Sequence, residues 1–230
     1  MNISVIIAAA GSSQRMGLSR NKVLLPLLDK PVLSWSLQLF QADDRVKEII
    51  VAAAPKDLAA VGKVCKPYRK ARVLQGGVNR SLSVTMALAQ VGSSCQKVAV
   101  HDGARPLLAK EDWESLVQAA QDHPAVVPMT PLTDSIKALH NGRIVNTVPR
   151  ETLAAVQTPQ IFDFPLLLKA HRNALRSNNI ATDDSQMVEK LGVPIFGVYT
   201  QHPNLKITYQ EDLLFAEMLL RLQQMKETKE

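Results

Sequence analysis

A loop of small residues followed by cations stands near the start of the chain, directly after a run of β-branched residues. The loop is Ala8-Ala9-Ala10-Gly11-Ser12-Ser13, and Arg15, Arg20 and Lys22 follow it. Because no bulky side chain intervenes, its backbone N–H groups could approach phosphate oxygens, while the cations neutralise a triphosphate and a leaving pyrophosphate. The spacing is neither G-x-G-x-x-G nor a Walker loop, since no G-K-[ST] follows. The alternative is a tight strand–helix turn with solvated cations.

The segment Val100-His101-Asp102-Gly103-Ala104-Arg105-Pro106 carries an acid where a predicted strand ends. Ligands of α/β folds bind at the carboxyl ends of strands, so Asp102 would face a bound ligand. One carboxylate together with substrate phosphates is an ordinary site for Mg²⁺, which keeps several waters. The alternative for Asp102 is a helix N-cap. Arg105 would pair with Asp102 or bind phosphate, and His101 is interpreted as a structural histidine.

A glycine-rich turn, Gly76-Gly77-Val78-Asn79-Arg80-Ser81-Leu82-Ser83, opens the third predicted helix. Its glycines admit a ligand close to the backbone, and Asn79, Arg80 and Ser83 place donors at a helix N-terminus, which suits a base or a ribose. The alternative is a glycine loop in which Asn79 caps the helix.

A fourth cluster lies in the extended segment 204–208, where Lys206 and Thr208 share one side. It again falls near the end of a predicted strand. By itself this pattern is unremarkable.

The elements that must position these clusters alternate as short β-branched runs and helix-length amphipathic segments. The predicted strands are residues 3–8, 48–53, 71–74, 97–101, 125–129 and 195–199. The predicted helices are residues 31–42, 56–67, 80–91, 110–121 and 163–177, with a terminal helix from Glu211. Continuous hydrophobic strands between helices predict an α/β fold with a doubly wound, mainly parallel sheet, as in Rossmann-like folds. We expect a single domain over residues 1–230.

Residues 131–150 interrupt this alternation with two extended runs around Asn141-Gly142, the signal of a β-hairpin. A hairpin inserted into an α/β domain cannot bury both of its faces alone. We therefore expect a projecting arm that packs against a second subunit.

Composition limits the classes of function. The chain has 230 residues, 46% of them hydrophobic, and a net charge of +6, which fits a globular protein with phosphorylated substrates. Only 4% of residues are aromatic and no run of five basic residues occurs, which argues against nucleic-acid binding. Cys65 and Cys95 lie far apart, so we expect reduced thiols. No basic leader and no apolar stretch of about 18 residues occurs, so we expect a cytoplasmic protein without a membrane span.

Six sets of segments, taken in order, carry a resemblance to a known family. They are A-A-A-G-S-S-Q-R-M-G with N-K-V-L-L-P-L, G-G-V-N-R-S-L-S-V, V-A-V-H-D-G-A-R-P, T-V-P-R-E-T-L with Q-T-P-Q-I-F, A-T-D-D-S, and N-L-K-I-T. Together they span nearly the whole chain and resemble the IspD family, the 2-C-methyl-D-erythritol 4-phosphate cytidylyltransferases of the non-mevalonate isoprenoid pathway. The elements H-D-G-A-R and Q-T-P-Q-x-F are together quite specific.

The resemblance implies an enzyme that joins CTP to methylerythritol phosphate and releases pyrophosphate, with Mg²⁺ as cofactor. The substrate phosphate would attack the α-phosphorus of CTP directly, and the lack of a convincing nucleophile with its base agrees with that. By this likeness Arg15 and Lys22 are the catalytic cations that hold the triphosphate and the transition state. Asp102 matches the magnesium-binding acid.

The same likeness implies the remaining binding residues. Positions that recognise cytidine and its phosphates match Ala9, Ala10, Gly11, Gly77 and Ser83. Positions around the methylerythritol phosphate match Arg105, Ser135, Arg150 and Lys206. Of these, Ser135 and Arg150 would reach in from the arm of the partner in a homodimer.

Two positions depart from the family pattern. Many members have a second glycine where this chain has Ser13, which puts the close approach of phosphate there in doubt. Ser135 stands where threonine is often found, which keeps the hydroxyl.

Two alternative functions stay open at this point. One is a ribitol 5-phosphate cytidylyltransferase, whose family shares most of these motifs and whose substrate differs by a methyl group and a hydroxyl arrangement. A methyl group is worth only about 1–3 kcal/mol of discrimination. The segments Q-T-P-Q-I-F and T-D-D-S favour methylerythritol. The other alternative is a non-catalytic nucleotide-binding protein, which need not keep Arg15, Lys22 and Asp102 together.

Overall fold

A computed structural model describes residues 1–11, 16, 20–177 and 183–227, with side chains to residue 225. Its centre is an eight-stranded sheet in the order β10-β7-β11-β6-β1-β4-β5, with β12 on the free side of β7. The strands of this sheet are β1 Ile3–Ala9, β4 Val46–Ala53, β5 Ala71–Gln75, β6 Lys97–Asp102, β7 Ala125–Pro131, β10 Ala154–Val156, β11 Gln160–Asp163 and β12 Phe196–Tyr199. Two short strands, β2 Pro26–Leu27 and β3 Lys30–Pro31, form a separate hairpin.

The sheet is mixed but mainly parallel, as the sequence predicted. Strands β5, β4, β1 and β6 are parallel to one another, and β12 is parallel to β7. The antiparallel pairs involve β10 and β11, two short strands that the sequence analysis missed. All six predicted strands occur, with small shifts at their ends.

Helices cover both faces of the sheet. They are α1 Val32–Ala42, α2 Leu58–Cys65, α3 Arg80–Leu88, α4 Lys110–Asp122, α5 Phe164–Arg176, α6 Asp184–Glu189 and α7 Gln210–Glu227. Alternate residues of β1 enter different cores: Val5 and Ile7 pack with α1, α2 and α4, whereas Ile6 packs with α3, α5 and α6. Helix α6 was not predicted, because six residues carry too little periodicity to identify a helix.

The predicted hairpin forms, and it is a two-stranded sheet of its own. Its strands are β8 Ile136–His140 and β9 Arg143–Val148, so the predicted first run was too early, since Pro131 ends β7. The turn residues Asn141 and Gly142 have φ values of 49° and 77°, as a type I′ turn requires. Three large apolar side chains of this arm, Leu139, Ile144 and Val145, are between 64% and 68% exposed. The arm therefore leaves an apolar surface uncovered by its own chain.

The terminal helix α7 closes a third, smaller core with Met16, Leu27, Val32 and Leu107. None of the described helices is long and apolar enough to cross a membrane.

Candidate active site

A cavity of about 370 Å³ opens at the carboxyl edge of the central strands. Strands β1 and β6 are parallel neighbours in which Ala8 pairs with Asp102, so the residues that follow both strands meet at one place. All four predicted clusters contribute residues to the lining of the cavity. The lining residues are Ala8, Ala9, Ala10, Gly11, Asn21, Lys22, Val23, Val78, Asn79, Arg80, Ser83, Asp102, Ala104 and Lys206. The edge of the sheet thus brings together segments that are far apart in sequence.

A larger cleft of about 620 Å³ lies near the amino end of β6, and its lining includes Lys97, His123 and Asp163. Lys97 is already satisfied there, since its Nζ lies 2.6 Å from an oxygen of Asp163 and donates to the His123 carbonyl oxygen. This cleft has no glycine-rich loop in its described lining, and it lies at the opposite end of the parallel strands from the predicted clusters. We therefore take the smaller cavity as the candidate active site.

The loop after β1 supplies one wall. Ala9, Ala10 and Gly11 line the cavity beside Lys22, which opens a short 3-10 helix, Lys22–Leu24. Arg15 and Ser13 lie outside the described residues. Arg20 is described and exposed, and it does not line the cavity.

Asn21 fixes the position of this wall. Its Nδ2 donates to the carbonyl oxygen of Ala9 and to Oδ2 of Asp57, over 2.8 and 2.9 Å, while its Oδ1 accepts from the backbone of Val23. The side chain is buried and so ties the end of β1 to the helix that carries Lys22.

Asp102 lies at the base of the cavity among cations. Its Oδ1 accepts from Nε of Arg80 over 3.0 Å and its Oδ2 from Nζ of Lys206 over 2.7 Å, while Nε of Arg105 lies 3.8 Å away. Burial alone would raise the pKa of Asp102, but Arg80 and Lys206 outweigh it and hold that pKa well below its usual range. The helix-cap alternative is wrong, because the next helix begins only at Lys110.

This cluster has more positive than negative charge directed at the cavity. Arg80 and Arg105 each keep a buried nitrogen, Nη2 and Nε respectively, without a hydrogen-bond partner among the described residues. Arg105 does not line the cavity, since its Nη1 donates to the carbonyl oxygen of Asn204 over 2.7 Å. Among the described residues that line the cavity, Lys22, Arg80 and Lys206 are cationic and Asp102 is the one acid, so the excess of positive charge favours an anionic ligand.

The glycine-rich turn before α3 is held by its own side chains. Asn79 caps α3, because its Oδ1 accepts from the backbone N–H of Leu82 over 2.8 Å. The buried hydroxyl of Ser83 accepts from the N–H of Gly77 and donates to the carbonyl oxygen of Asn79. A Cβ at Gly77 would lie 2.6 Å from the Cβ of Leu82, so only glycine fits this turn. The structure confirms the cap, and it places Asn79 and Ser83 in the lining of the cavity but not Gly77. Recognition of a base or a ribose by this turn stays a prediction.

His101 has the structural role that the sequence predicted. It is fully buried, its Nε2 lies 3.0 Å from the carbonyl oxygen of Arg105 and 3.2 Å from the hydroxyl of Ser36, and burial lowers its pKa to about 4. The buried hydroxyl of Thr158 accepts from the backbone N–H of Asp102 over 3.0 Å. Thr158 belongs to the Q-T-P-Q segment, which thereby holds the end of β6.

The arm residues lie elsewhere in this chain. Ser135 and Arg150 are exposed and do not line the cavity. The guanidinium of Arg150 donates to the carbonyl oxygen of Thr133 and lies 3.6 Å from Glu151. Within one chain, the structure therefore brings Lys22, Asp102 and Lys206 together but not Ser135 and Arg150.

Sequence reasoning missed three residues that shape the site. Asn21, Thr158 and Asp184, a fully buried partner of Arg80, received no role, although each lies in a segment that carries the family resemblance. Arg80 was considered only as a donor to a base or a ribose, whereas the structure pairs it with Asp102. The motifs that carry the family resemblance include these residues and could have indicated them. The side chains and backbone groups with which they pair could not be identified from the sequence.

The carboxylate of Asp102 fits a magnesium ion held by one protein ligand. It is ionised and lines the cavity, and each oxygen accepts one side-chain hydrogen bond out of about two possible. Among the described residues there is no group of three or more His, Cys, Asp or Glu that could cage a metal. Such a metal would therefore take its other ligands from phosphates and water.

Comparison with known proteins gives one consistent result. A sequence model of the family described as 2-C-methyl-D-erythritol 4-phosphate cytidylyltransferase matches residues 3–222. A relative of that description from Symbiobacterium thermophilum is 44% identical over 95% of this chain and 92% of its own length. Another from Caldanaerobacter subterraneus is 40% identical over 96% of this chain and 100% of its own length.

Solved structures agree with these relatives. A crystal structure described as 4-diphosphocytidyl-2C-methyl-D-erythritol synthase from Anaerococcus prevotii superimposes with a TM-score of 0.85 at 28% identity, covering 96% of this chain and 98% of that one. The 2-C-methyl-D-erythritol 4-phosphate cytidylyltransferase of Thermus thermophilus gives a TM-score of 0.79 at 34% identity, covering 96% and 100%.

Proposed function

This chain belongs to the 2-C-methyl-D-erythritol 4-phosphate cytidylyltransferase family, and we propose that it joins CTP to 2-C-methyl-D-erythritol 4-phosphate. The products are CDP-methylerythritol and pyrophosphate, in the non-mevalonate route to isoprenoid precursors. The observation that carries the proposal is the cavity itself. It combines a small-residue loop, a glycine-rich helix start and an ionised carboxylate surrounded by cations.

The chemistry is a single displacement at phosphorus. An oxygen of the substrate phosphate forms a bond to the α-phosphorus of CTP, and the bond from that phosphorus to the bridging oxygen of the β-phosphate breaks. Pyrophosphate leaves with the electron pair, so negative charge grows on the leaving oxygens. Lys22 beside the small-residue loop would stabilise that charge, and Arg15 has the same proposed role.

Direct displacement needs no enzyme nucleophile, and the side chains at the cavity agree with that. Ser83 is the serine in its lining, and its hydroxyl donates to a backbone carbonyl oxygen rather than to a base. The buried imidazole of His101 faces a carbonyl oxygen and two hydroxyls, away from the lining residues. The rate acceleration would then come from positioning the two substrates and from stabilising the negative charge on the leaving pyrophosphate.

Asp102 would hold a magnesium ion together with phosphate oxygens of CTP. When bound, the ion supplies a positive charge that neutralises the triphosphate and the leaving pyrophosphate. Lys206, whose ammonium contacts Asp102 and whose side chain is 39% exposed, would bind the phosphate of the second substrate. Arg105 would support this phosphate site from its position beside Asp102.

The second substrate site is completed by a partner subunit in this proposal. The apolar side chains of the arm are uncovered within one chain, and Ser135 and Arg150 lie at its base rather than at the cavity. A two-fold dimer that packs these arms together would bring both residues to the neighbour's cavity. We also propose a cytoplasmic location, which suits the two free cysteines, one buried and one partly buried.

Pyrophosphate release tests the proposed function. The assay compares CTP with ATP, GTP and UTP, each with methylerythritol phosphate and with ribitol 5-phosphate in parallel. We expect rapid release only with CTP and methylerythritol phosphate, the pair of substrates that the family resemblance implies. Preference for ribitol phosphate would support the other cytidylyltransferase, and binding of CTP without release would support the non-catalytic alternative.

A further inference from the structure

A continuous hydrogen-bond network of polar side chains runs from Asp102 away from the cavity into the helical layer. The guanidinium of Arg80 bridges two acids, with Nε 3.0 Å from Oδ1 of Asp102 and Nη1 2.7 Å from Oδ2 of Asp184. The other oxygen of Asp184 lies 3.1 Å from Nε2 of His171, whose Nδ1 lies 2.8 Å from the hydroxyl of Thr85. Helices α3, α5 and α6 thus all contribute to the position of one guanidinium at the cavity wall.

The inner part of this network, Asp184 and His171, is buried, and Asp184 is charged. Asp184 is 0% exposed and His171 is 1% exposed. Full burial would raise the pKa of Asp184, but Arg80 and His171 outweigh it and hold that pKa below its usual range. A buried ionised carboxylate needs its partner, so Arg80 cannot swing away without leaving a charge unpaired in the interior.

The other cation that contacts Asp102 is held differently. Lys206 lies on an extended segment before α7, and Asp102 is the acid its ammonium contacts. Its compact ammonium on a flexible stem can turn from Asp102 to a phosphate oxygen at little cost. Arg80, anchored at its far end by Asp184, has no comparable freedom.

We propose that Asp184 and His171 are positioning residues that fix Arg80 as the lasting counter-ion of Asp102. Asp102 then keeps its place and orientation when Lys206 turns to the phosphate of the second substrate. This inference rests on the proposed function, because it presupposes a phosphate at Lys206. Neither Asp184 nor His171 lines the cavity, so both act through Arg80.

The first test is Asp184→Asn, which keeps the shape and the acceptor for His171 but removes the charge that holds Arg80. We expect kcat to fall about 10- to 100-fold while KM for CTP changes by less than about twofold, as for other partners that orient an active-site group. Asp43→Asn is the matched control: Asp43 also pairs with an arginine and accepts from Trp113, far from the cavity. The control should lose stability and keep kcat. Wild-type kcat in Asp184→Asn would overturn the inference.

A double-mutant cycle separates positioning from a merely structural role. In an Arg80→Met background, Asp184→Asn should cost less than about twofold in kcat, because the group it positions is gone. Equal losses of kcat in both backgrounds would mean that Asp184 acts on turnover independently of Arg80, and the inference would be wrong. The wild-type protein is measured in the same assay. If the proposed function is wrong, the wild-type protein releases no pyrophosphate; if only this inference is wrong, the wild-type protein is active and the variants do not show the expected pattern.

Two variants of His171 test the inner end of this network, and they remain informative if Asp184→Asn folds poorly. His171→Gln keeps an N–H donor toward Asp184, whereas His171→Leu removes it. We expect the glutamine variant to retain most of kcat and the leucine variant to lose at least about tenfold at unchanged KM for CTP. Equal kcat in the two variants would contradict the positioning role of His171.

Discussion

Asp102 has three cationic side chains within 4 Å, at 2.7, 3.0 and 3.8 Å from its oxygens. The sequence located this acid at a strand end, because the run before it is continuously hydrophobic. It did not reveal that Lys206, 104 residues away, donates to the carboxylate, or that Arg80 does so from the start of α3. Ion pairs between distant segments depend on strand order, which side-chain spacing does not encode.

The role of Asp102 can be tested by removing its charge and keeping its shape. We expect Asp102→Asn to fold, to lose about 100-fold or more in turnover, and to need more magnesium for half-maximal rate, because transition-state charge is less well stabilised. Pyrophosphate release against magnesium concentration, with circular dichroism as the folding control, measures this. Near-normal turnover at low magnesium would remove the metal role from Asp102.

Lys22 is expected to act on the transition state more than on the bound nucleotide. Lys22→Ala should lower kcat about 100-fold and weaken CTP binding far less, because the charge it stabilises grows only as pyrophosphate leaves. Calorimetry gives the CTP affinity and initial rates give kcat. Lys63→Ala, on the exposed side of α2, is the control that should change neither. Loss of CTP binding with a normal rate at saturation would contradict the assignment.

Among the elements, the buried parallel strands were predicted best. Strands such as β6 are buried along their whole length, so they read as hydrophobic runs bounded by polar turns. The pair β10 and β11 was missed because each has only three or four residues and the Q-T-P-Q segment between them looks like a loop. Those strands matter for the site, since Thr158 between them holds the backbone of Asp102.

The turn before α3 gives a prediction at the scale of one element. In Gly77→Ala the new methyl group would overlap the Cβ and Cγ of Leu82, at 2.6 and 2.5 Å, so the turn must shift away from its hydrogen bond with Ser83. We expect CTP affinity to fall at least about tenfold, the equivalent of about 1.4 kcal/mol. Gly62→Ala, in α2 where the added methyl meets nothing within 4 Å, should leave CTP affinity unchanged and gain up to about 1 kcal/mol of stability. Equal CTP affinity in the two variants would show that this turn does not contact the nucleotide.

In the whole molecule, the order of the strands decides which loops share the cavity. Strand β1 lies between β4 and β6, so the loop of Lys22 and the loop of Asp102 become neighbours although about 80 residues separate them. The sequence predicted the class of sheet but not this order. It did predict the arm, because Asn141-Gly142 is a strong hairpin signal, and the uncovered apolar side chains of the arm agree with a partner surface.

A composite site predicts that Arg150 and Lys22 act on different ligands. Arg150→Ala should leave CTP affinity unchanged and raise KM for the polyol phosphate, since the arm does not reach the cavity of its own chain. Calorimetry with CTP and initial rates at varied polyol phosphate measure the two effects. Weaker CTP binding in this variant would place Arg150 at the nucleotide instead.

Mixing two inactive variants tests the exchange of arms between subunits. Lys22→Ala and Arg150→Ala, each nearly inactive alone, are co-expressed with different tags, and the hybrid dimers are verified by tandem purification. Half of the randomly mixed dimers are hybrids, each with one site that has both residues intact, so the mixture should recover about a quarter of wild-type activity. Lys22→Ala mixed with Asp102→Asn is the matched control: both residues line one cavity of the same chain, so no hybrid site is intact and no activity should return. If the first mixture stays as inactive as this control, or if the active wild-type enzyme is a monomer in solution, Arg150 serves its own chain and the shared-site proposal is wrong.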